Sequence, residues 1–328
     1  MQLGLFYVLL SGIANGLFTA PMKVIPRWKW ENIWTVFIVT ACLVIPVAMA
    51  VVPVDNIGSV LGQMPRPAVL AALTFGFAWG FGAILFGLSV DRLGVSLANS
   101  LVIGVSSAGG SVVPLMLGGG FRMEPRTVVL LAGVAVFLAG VVLCAKAGRI
   151  REAKAAVNPS AAGFVFALGS GVLSAVFNIG YSLALPIAGA GEALGLSKFT
   201  ATNLIWLLML TAGAIPNLVF CAHLLSKNRS AGLFRGGPPL KTWGLSVAMG
   251  LLWGGSIYLY GLATPRLGSM GPSIGWPLSL ATGLLVANAM GYLLGEWRNT
   301  ERSAVRYMQS GIGVLLLAIV LCSASTQF

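Results

Sequence analysis

Long apolar runs alternate with short polar segments along the whole chain. Each run extends over about 20 residues, which is the length that an α-helix needs to cross roughly 30 Å of hydrocarbon. The alternating segments of about ten residues that are typical of a transmembrane β-barrel do not occur. The pattern therefore predicts an all-α integral membrane protein. Its ten transmembrane helices, spans 1 to 10, are expected at about residues 3–21, 33–53, 67–90, 96–118, 127–145, 161–184, 199–223, 242–262, 269–294 and 307–325.

The basic residues divide unevenly between the loops that these spans define. The odd-numbered loops contain 15 Lys and Arg residues, whereas the even-numbered loops contain five. Because Lys and Arg accumulate in cytoplasmic loops, the odd-numbered loops are predicted to be cytoplasmic and both termini to lie outside. The first basic residue, Lys23, follows the first apolar run, which favours a retained first helix over a cleaved signal peptide.

The composition agrees with a protein embedded in a lipid bilayer. Hydrophobic residues make up 57% of the 328 residues and charged residues only 9%, whereas an average soluble domain is about 25% charged. The net charge of +12 belongs to the loops, so it sets orientation and does not indicate nucleic-acid binding. The cysteines are widely separated in apolar runs, which favours core packing over disulfides or a metal site. They are Cys42, Cys144, Cys221 and Cys322.

One 19-residue segment occurs twice. Residues 76–94 read GFAWGFGAILFGLSVDRLG and residues 250–268 read GLLWGGSIYLYGLATPRLG, with nine identical positions at a constant offset of 174. The copies lie in spans 3 and 8, and the odd difference between these span numbers gives them opposite orientations in the membrane. The sequence therefore predicts two inverted five-helix repeats, the architecture of alternating access. The predicted parts of the single transporter domain 1–328 are repeat one 1–145, a basic linker 146–160 and repeat two 161–328.

The repeated segment contains glycines and a tryptophan with different predicted roles. The Gly-x-x-x-Gly pairs, Gly76 with Gly80 and Gly250 with Gly254, are typical of close helix packing. Trp79 and Trp253 fall near the middle of their spans, although tryptophan in membrane proteins favours the headgroup level. Two interpretations stay open for this pair: core packing, or the wall of a cavity where an indole face stacks on a sugar.

Neutral polar residues inside the spans are candidates for a substrate site, because an unpaired amide or hydroxyl in hydrocarbon costs several kcal/mol. Together they form a neutral lining, which fits a sugar or polyol better than an ion, although any single hydroxyl has a hydrogen bond to its own helix as the alternative. Prolines 46, 114, 216 and 277 are expected to interrupt spans and to free backbone groups. The candidate substrate-binding residues are Asn15, Trp79, Asn99, Asn178, Tyr181, Trp253, Tyr258, Trp276 and Ser279.

Acidic residues are predicted only at the ends of spans or in loops. A buried carboxylate that would hold a cationic drug is therefore not expected. One histidine and scattered cysteines do not make a metal site, and no nucleophile elbow or phosphate-binding loop occurs. The sequence thus predicts a transporter without a cofactor rather than an enzyme.

Six short motifs occur in an order and spacing similar to those of one known family. They are APxK at 20–23, WKWExxW at 28–34, FGxxWGxG at 75–82, RLGxS at 92–96, ALG at 193–195 and EWxN at 296–299. By these motifs nearly the whole chain resembles the L-rhamnose–proton symporters of the drug/metabolite transporter superfamily. The resemblance implies a multi-pass protein of the bacterial inner membrane that imports L-rhamnose or a related deoxysugar with a proton.

The mechanism suggested by the resemblance assigns a role to each group of candidates. Trp79 and Trp253 are expected to stack on the sugar ring. Hydrogen bonds to the sugar hydroxyls are expected from Asn15, Asn178, Tyr181 and Tyr258. The candidates for proton coupling are Lys23 at the end of span 1 and Glu192 between spans 6 and 7, with a solvated or interfacial charge as the alternative for each.

Two departures from the family pattern leave the identity of the sugar open. Ala83 stands where family members carry an asparagine, and GPSIG at 271–275 replaces a more polar run before Trp276. An uncoupled facilitator, an exporter of another small polar metabolite and a non-transporting membrane subunit stay as alternatives.

Overall fold

The computed structural model describes residues 2–93, 95–117, 122–152, 160–293, 295, 297–298 and 300–327. The regular secondary structure in these ranges is helical, and ten helices are long and apolar enough to cross a membrane. The predicted number of spans is therefore confirmed for this part of the chain, and each helix takes the number of its span. The helices are α1 (Gln2–Leu17), α2 (Trp30–Ile38, continued by π-helical segments Val39–Val44 and Val47–Val51), α3 (Arg66–Leu93), α4 (Val95–Leu117), α5 (Pro125–Glu152), α6 (Ala161–Ala193), α7 (Lys198–Lys227), α8 (Leu245–Ala263), α9 (Gly271–Leu293) and α10 (Arg302–Ala324).

Several helices do not end where the apolar runs end. α5 continues to Glu152 and α6 to Ala193, beyond the predicted ends near residues 145 and 184. In α5 the added turns carry Lys146, Arg149 and Arg151, whose long side chains can reach water from a helix. In contrast, α1 ends at Leu17, and the Ala20–Val24 segment, with Pro21 near its start, forms a separate turn of 3-10 helix.

The prolines expected to interrupt spans are mostly accommodated without a break. Pro114, Pro216 and Pro277 lie inside the continuous helices α4, α7 and α9. Pro46 lies between the two π-helical segments of α2. Because proline has no N–H, the carbonyl of Gly110, four residues before Pro114, loses its helical partner. Asn178 Nδ2 donates to that carbonyl at 2.7 Å, so a side chain from α6 replaces the missing bond.

The packing divides the chain into two compact units, and each contains discontinuous segments. The first unit is Met1–Gly16, Gly82–Ile179 and Ala263–Phe328, and the second is Leu17–Phe81 and Gly180–Leu262. The division falls within α3 and within α6, so each of these helices contributes one half to each unit. The predicted repeats 1–145 and 161–328 do not coincide with these units, because each unit takes helices from both parts of the sequence.

The core of the first unit forms where α4, α5, α9 and α10 pack together. Its buried side chains include Phe137, Cys144, Leu284 and Leu315, all at most 5% exposed. Burial of such apolar surface within the protein replaces contacts with lipid by close packing. All four cysteines of the chain are buried with free thiols, as predicted for core residues.

The glycine pairs of the repeated segment are close-packing sites in the second unit, as predicted. Gly80 of α3 lies against α7, where an added Cβ would lie 2.5 Å from the carbonyl oxygen of Gly213. Gly250 of α8 lies against α2, where an added Cβ would lie 2.5 Å from Thr40 Cβ. Either Cβ would overlap its neighbour, so both helix contacts depend on glycine.

Candidate functional site

The two tryptophans of the repeated segment stack on each other in the second unit. The ring centroids of Trp79 in α3 and Trp253 in α8 lie 5.1 Å apart, and the ring planes differ by 9°. Both side chains are half-buried, so part of each indole stays accessible. An offset stack of this kind is a favourable aromatic geometry. The structure thus brings together the two tryptophans of the repeated segment, and both interpretations of the pair stay open.

Neighbouring helices hold this tryptophan pair from both sides. Phe37 of α2 packs against Trp253 at 69° with ring centroids 5.8 Å apart. On the other side, Trp79 lies over Gly213 of α7, where an added Cβ would lie 2.7 Å from Trp79 Cε3. The pair is therefore a supported planar surface without a charged group of its own, which is the chemistry that a sugar C–H face requires.

A buried asparagine that the sequence analysis missed braces the same region. Asn217 of α7 is fully buried, and its Oδ1 accepts a hydrogen bond of 3.1 Å from Trp34 Nε1. Its Nδ2 donates to the carbonyl oxygens of Gly80 at 3.1 Å and Gly213 at 3.0 Å. One amide thus joins α2, α3 and α7 next to Trp79. The criterion that selected Asn15, a polar residue inside a span, also applies to Asn217.

The two candidate tyrosines occupy different environments within the second unit. Tyr258 of α8 is 5% exposed, and its hydroxyl has no hydrogen-bond partner among the described residues. Because buried hydroxyls are normally paired, this group is available to a ligand hydroxyl. Tyr181 is fully buried and stacks on Trp206 with ring centroids 4.4 Å apart and 1° between the planes, beside Tyr260. The substrate-binding role of Tyr181 stays a prediction.

In the first unit, α4, α6 and α9 bring two other candidates into one hydrogen-bonded cluster. Trp276 Nε1 donates to the carbonyl oxygen of Ser106 at 3.1 Å and lies within 3.2 Å of its hydroxyl. The fully buried Asn178 donates to the carbonyl oxygens of Gly110 and Pro272, at 2.7 and 3.1 Å. These bonds show how both side chains are held in this conformation, and their contact with substrate stays a prediction.

The remaining first-unit candidates are less tightly bonded. Ser279 Oγ lies 3.1 Å from Ser11 Oγ, which joins α9 to α1. Asn15 and Asn99 are half-buried, and neither side chain makes a hydrogen bond to another described residue. Their amides are therefore available to a ligand.

Two further buried hydroxyls near the first-unit cluster could accept or donate a hydrogen bond to a ligand. Ser107 of α4 and Ser273 of α9 are at most 1% exposed, and their oxygens have no partner among the described residues. Ser273 belongs to the 271–275 segment, in which the chain departs from the family pattern. This segment therefore contains one buried hydroxyl without a hydrogen-bond partner among the described residues.

Glu31, predicted to lie at the end of a span or in a loop, is buried in the structure. Glu31 is the second residue of α2, within the apolar span Trp30–Val51, and only 3% of its surface is exposed. Ser230 Oγ and Asn228 Nδ2 lie 2.5 and 3.0 Å from its Oε1, and their hydrogen bonds offset the cost of burying the carboxylate. The predicted span began at residue 33 because charged side chains precede it.

The structure leaves the roles of the two predicted proton-coupling residues untested. Glu192 is exposed near the end of α6. The side chain of Lys23 lies outside the part of the chain that the structure describes. Both assignments stay predictions. Within the described ranges, no three His, Cys, Asp or Glu side chains come together as a metal site would require.

Comparisons with known proteins agree over the full length of the chain. Residues 1–325 match the family described as L-rhamnose-proton symport protein (RhaT). An L-rhamnose-proton symporter of Escherichia coli (strain 55989 / EAEC) is 28% identical over 97% of this chain and 96% of its own, and one of Shigella boydii serotype 18 is 27% identical with the same coverage. A solved crystal structure, 16% identical, covers 97% of both chains with a TM-score of 0.59, so the fold has a counterpart of known structure. The chain belongs to the L-rhamnose-proton symport protein family.

Proposed function

We propose that this protein is a secondary active transporter that imports L-rhamnose, or a related deoxysugar, together with a proton by alternating access. The family match over residues 1–325 carries the proposal. Relatives named L-rhamnose-proton symporter match 97% of the chain, and ten apolar helices make it a multi-pass membrane protein. The uncoupled facilitator and the exporter of another metabolite receive no support from these relatives.

The tryptophan pair of the second unit is the proposed platform for the sugar ring. The parts of Trp79 and Trp253 that stay accessible beside their mutual stack offer apolar contact to the C–H groups of a pyranose. The unpaired hydroxyl of Tyr258 offers a donor and an acceptor to a sugar hydroxyl. Recognition by stacking and neutral hydrogen bonds suits a solute that carries no charge.

The first unit contains its own polar candidates for sugar contact. The amides of Asn15 and Asn99 have unused hydrogen-bonding capacity, and Ser279 shares its hydroxyl only with Ser11. Asn178 and Trp276 are proposed to bind sugar when the helices move, because both are engaged with backbone carbonyls in this conformation.

The proposed architecture is two inverted five-helix repeats with the fold of the drug/metabolite transporters. The repeated segment at an offset of 174 supports it, as does the packing in the second unit. There α3 packs through Gly76 on Met209 of α7, and α8 packs through Gly250 on Thr40 of α2. Each contact joins one helix of each proposed repeat, and the equivalent glycine is used in both cases, as a pseudo-symmetric pair requires.

The proposed location is a bacterial inner membrane, with both termini outside. The 15 basic residues of the odd-numbered loops against five in the even-numbered loops support this orientation. Glu31 then lies near the cytoplasmic end of α2, because the preceding loop is odd-numbered.

Counterflow in proteoliposomes tests the choice of sugar. Vesicles loaded with unlabelled L-rhamnose are expected to take up labelled L-rhamnose transiently above the level of unloaded vesicles. Among competitors, L-rhamnose is expected to inhibit more strongly than L-mannose, because the apolar platform favours the C6 methyl group over a hydroxymethyl group. The absence of counterflow with any deoxysugar would contradict the proposal and would direct attention to Ala83 and the 271–275 segment.

A further inference from the structure

Glu31 is the buried carboxylate of the second unit. Among the acidic side chains that the structure describes, the others are exposed: Asp55, Glu124, Glu192 and Glu301. The Oε1 atom of Glu31 accepts hydrogen bonds from Ser230 Oγ at 2.5 Å and from Asn228 Nδ2 at 3.0 Å. Both donors are neutral, so no cation is needed to hold the carboxylate in place.

Further side-chain bonds connect the start of α2 to the segment 228–236 that follows α7. Asn32 Nδ2 donates to the carbonyl oxygen of Ser230 at 3.0 Å, and Lys29 Nζ donates to that of Asn228 at 3.4 Å. Trp28 Nε1 donates to the carbonyl oxygen of Gly236 at 3.3 Å. Together with the bonds to Glu31, these form a latch, defined here as residues 28–32 bonded to residues 228–236. Glu31 supplies its only acidic group.

The charged groups on the elements around Glu31 are basic. They are Arg27 and Lys29 before α2, Lys227 at the end of α7, Arg229 and Arg235 in the 228–236 segment, and Lys241 before α8, and the titratable His223 also lies near the end of α7. The thiol of Cys221 lies nearby on α7 and is buried. Protonation of Glu31 therefore removes the negative charge from a region that is otherwise positive.

Protonation changes the strength of the latch. A carboxylate accepts hydrogen bonds about twice as strongly as a neutral group. Burial favours the neutral acid, whereas the two donors favour the ionised form, so the two effects oppose each other at one side chain. Loss of either donor therefore favours binding of a proton at Glu31.

Direct contacts connect the latch to the tryptophan pair. Trp30 next to Glu31 stacks on Trp34, with ring centroids 5.0 Å apart. Trp34 packs on Phe37 at 4.6 Å, and Phe37 packs on Trp253. Movement of α2 when the latch opens therefore reaches the proposed sugar platform through packed rings.

Building on the proposed function, we infer that Glu31 is the proton-binding residue of sugar import. The ionised carboxylate holds the latch closed. While the transport path is open to the outside, a proton that enters it with the sugar binds Oε1 or Oε2, weakens the bonds to Ser230 and Asn228, and permits opening toward the cytoplasm. Opening hydrates the carboxyl group, which returns that proton to the cytoplasm, so one proton crosses with each sugar.

Replacement of Glu31 by glutamine tests this assignment, because the amide has the shape of the neutral acid and binds no proton. Purified Glu31→Gln in proteoliposomes is expected to keep L-rhamnose counterflow within about threefold of wild type. Its accumulation under an inward proton gradient is expected to fall to equilibration. Glu124→Gln is the matched control, an exposed carboxylate before α5 whose loss is expected to leave accumulation unchanged. Normal accumulation by Glu31→Gln would overturn the assignment.

A second variant decides the case in which Glu31→Gln loses counterflow as well. Ser230→Ala keeps the carboxylate and removes one donor that favours its ionised form. The pH at which accumulation is half-maximal is expected to rise by about one unit. An unchanged midpoint would overturn the assignment. Failure of the wild-type protein to accumulate L-rhamnose would instead refute the proposed function, so the two failures are distinguishable.

Discussion

Replacement of Trp253 by alanine is expected to lower kcat/KM for L-rhamnose transport roughly 30-fold, which corresponds to about 2 kcal/mol. Trp253 stacks on Trp79 and packs against Phe37, so its removal takes away half of the proposed platform and the support of the other half. The conservative variant Trp253→Phe keeps a planar ring and is expected to retain most of the activity. Initial rates of counterflow at several sugar concentrations measure the effect.

The matched control for this variant is Phe77→Ala. Phe77 lies on α3 two residues before Trp79, but its side chain is 42% exposed and packs on Phe81 rather than on the tryptophan pair. Its loss is expected to change transport less than threefold. Unchanged transport by a folded Trp253→Ala protein would show that the pair has only a packing role.

Replacement of Asn217 by alanine is expected to destabilise the protein more than any other polar substitution in the second unit. The change leaves the Trp34 N–H and the Gly80 carbonyl without their buried partner. Each unsatisfied group costs about 1–3 kcal/mol, so a loss of roughly 3 kcal/mol is expected. The thermal midpoint of the detergent-solubilised protein, followed by size-exclusion chromatography, measures the loss.

The control for Asn217 is a second buried asparagine on the same helix. Asn203 is 1% exposed and makes a single side-chain hydrogen bond, of 3.3 Å, to the carbonyl oxygen of Met49. Asn203→Ala is expected to lower the midpoint much less. In a double-mutant cycle, Trp34→Phe is expected to cost stability in the wild-type background and little in the Asn217→Ala background. Equal costs in both backgrounds would contradict the bracing role.

The helices and their packing glycines were predictable because their signals are local. An apolar run of about 20 residues identifies a span from its own sequence, whatever it contacts. Gly80 and Gly250 belong to small-residue patterns within single helices, and the structure uses both for close packing. The end of α5 was less predictable, because charged side chains end the apolar run before the helix itself ends.

The candidate site was predictable only in part, because its decisive contacts join distant parts of the chain. The repeated segment identified Trp79 and Trp253, but their direct stacking depends on how α3 and α8 pack. The position of Asn217 inside a span was visible, but its bracing role was not, because its partners Trp34 and Gly80 are 183 and 137 residues away. The burial of Glu31 was not predictable because its donors, Asn228 and Ser230, are 197 and 199 residues away.

Tyr181 is a candidate whose surroundings could not be predicted from the sequence. Its position inside a span indicated a polar lining, but the tertiary structure covers its ring completely with Trp206 and Tyr260. A hydroxyl in an apolar run therefore identifies a buried polar group without indicating whether a ligand or the protein itself surrounds it.

Proton-driven accumulation of L-rhamnose tests the central claim most directly. The wild-type protein is reconstituted into liposomes that are more alkaline inside, and labelled L-rhamnose is supplied outside. Symport predicts an internal concentration above the external one, and a protonophore is expected to return it to equilibrium. Equilibration without accumulation, or accumulation that a protonophore does not affect, would contradict proton-coupled import by this protein.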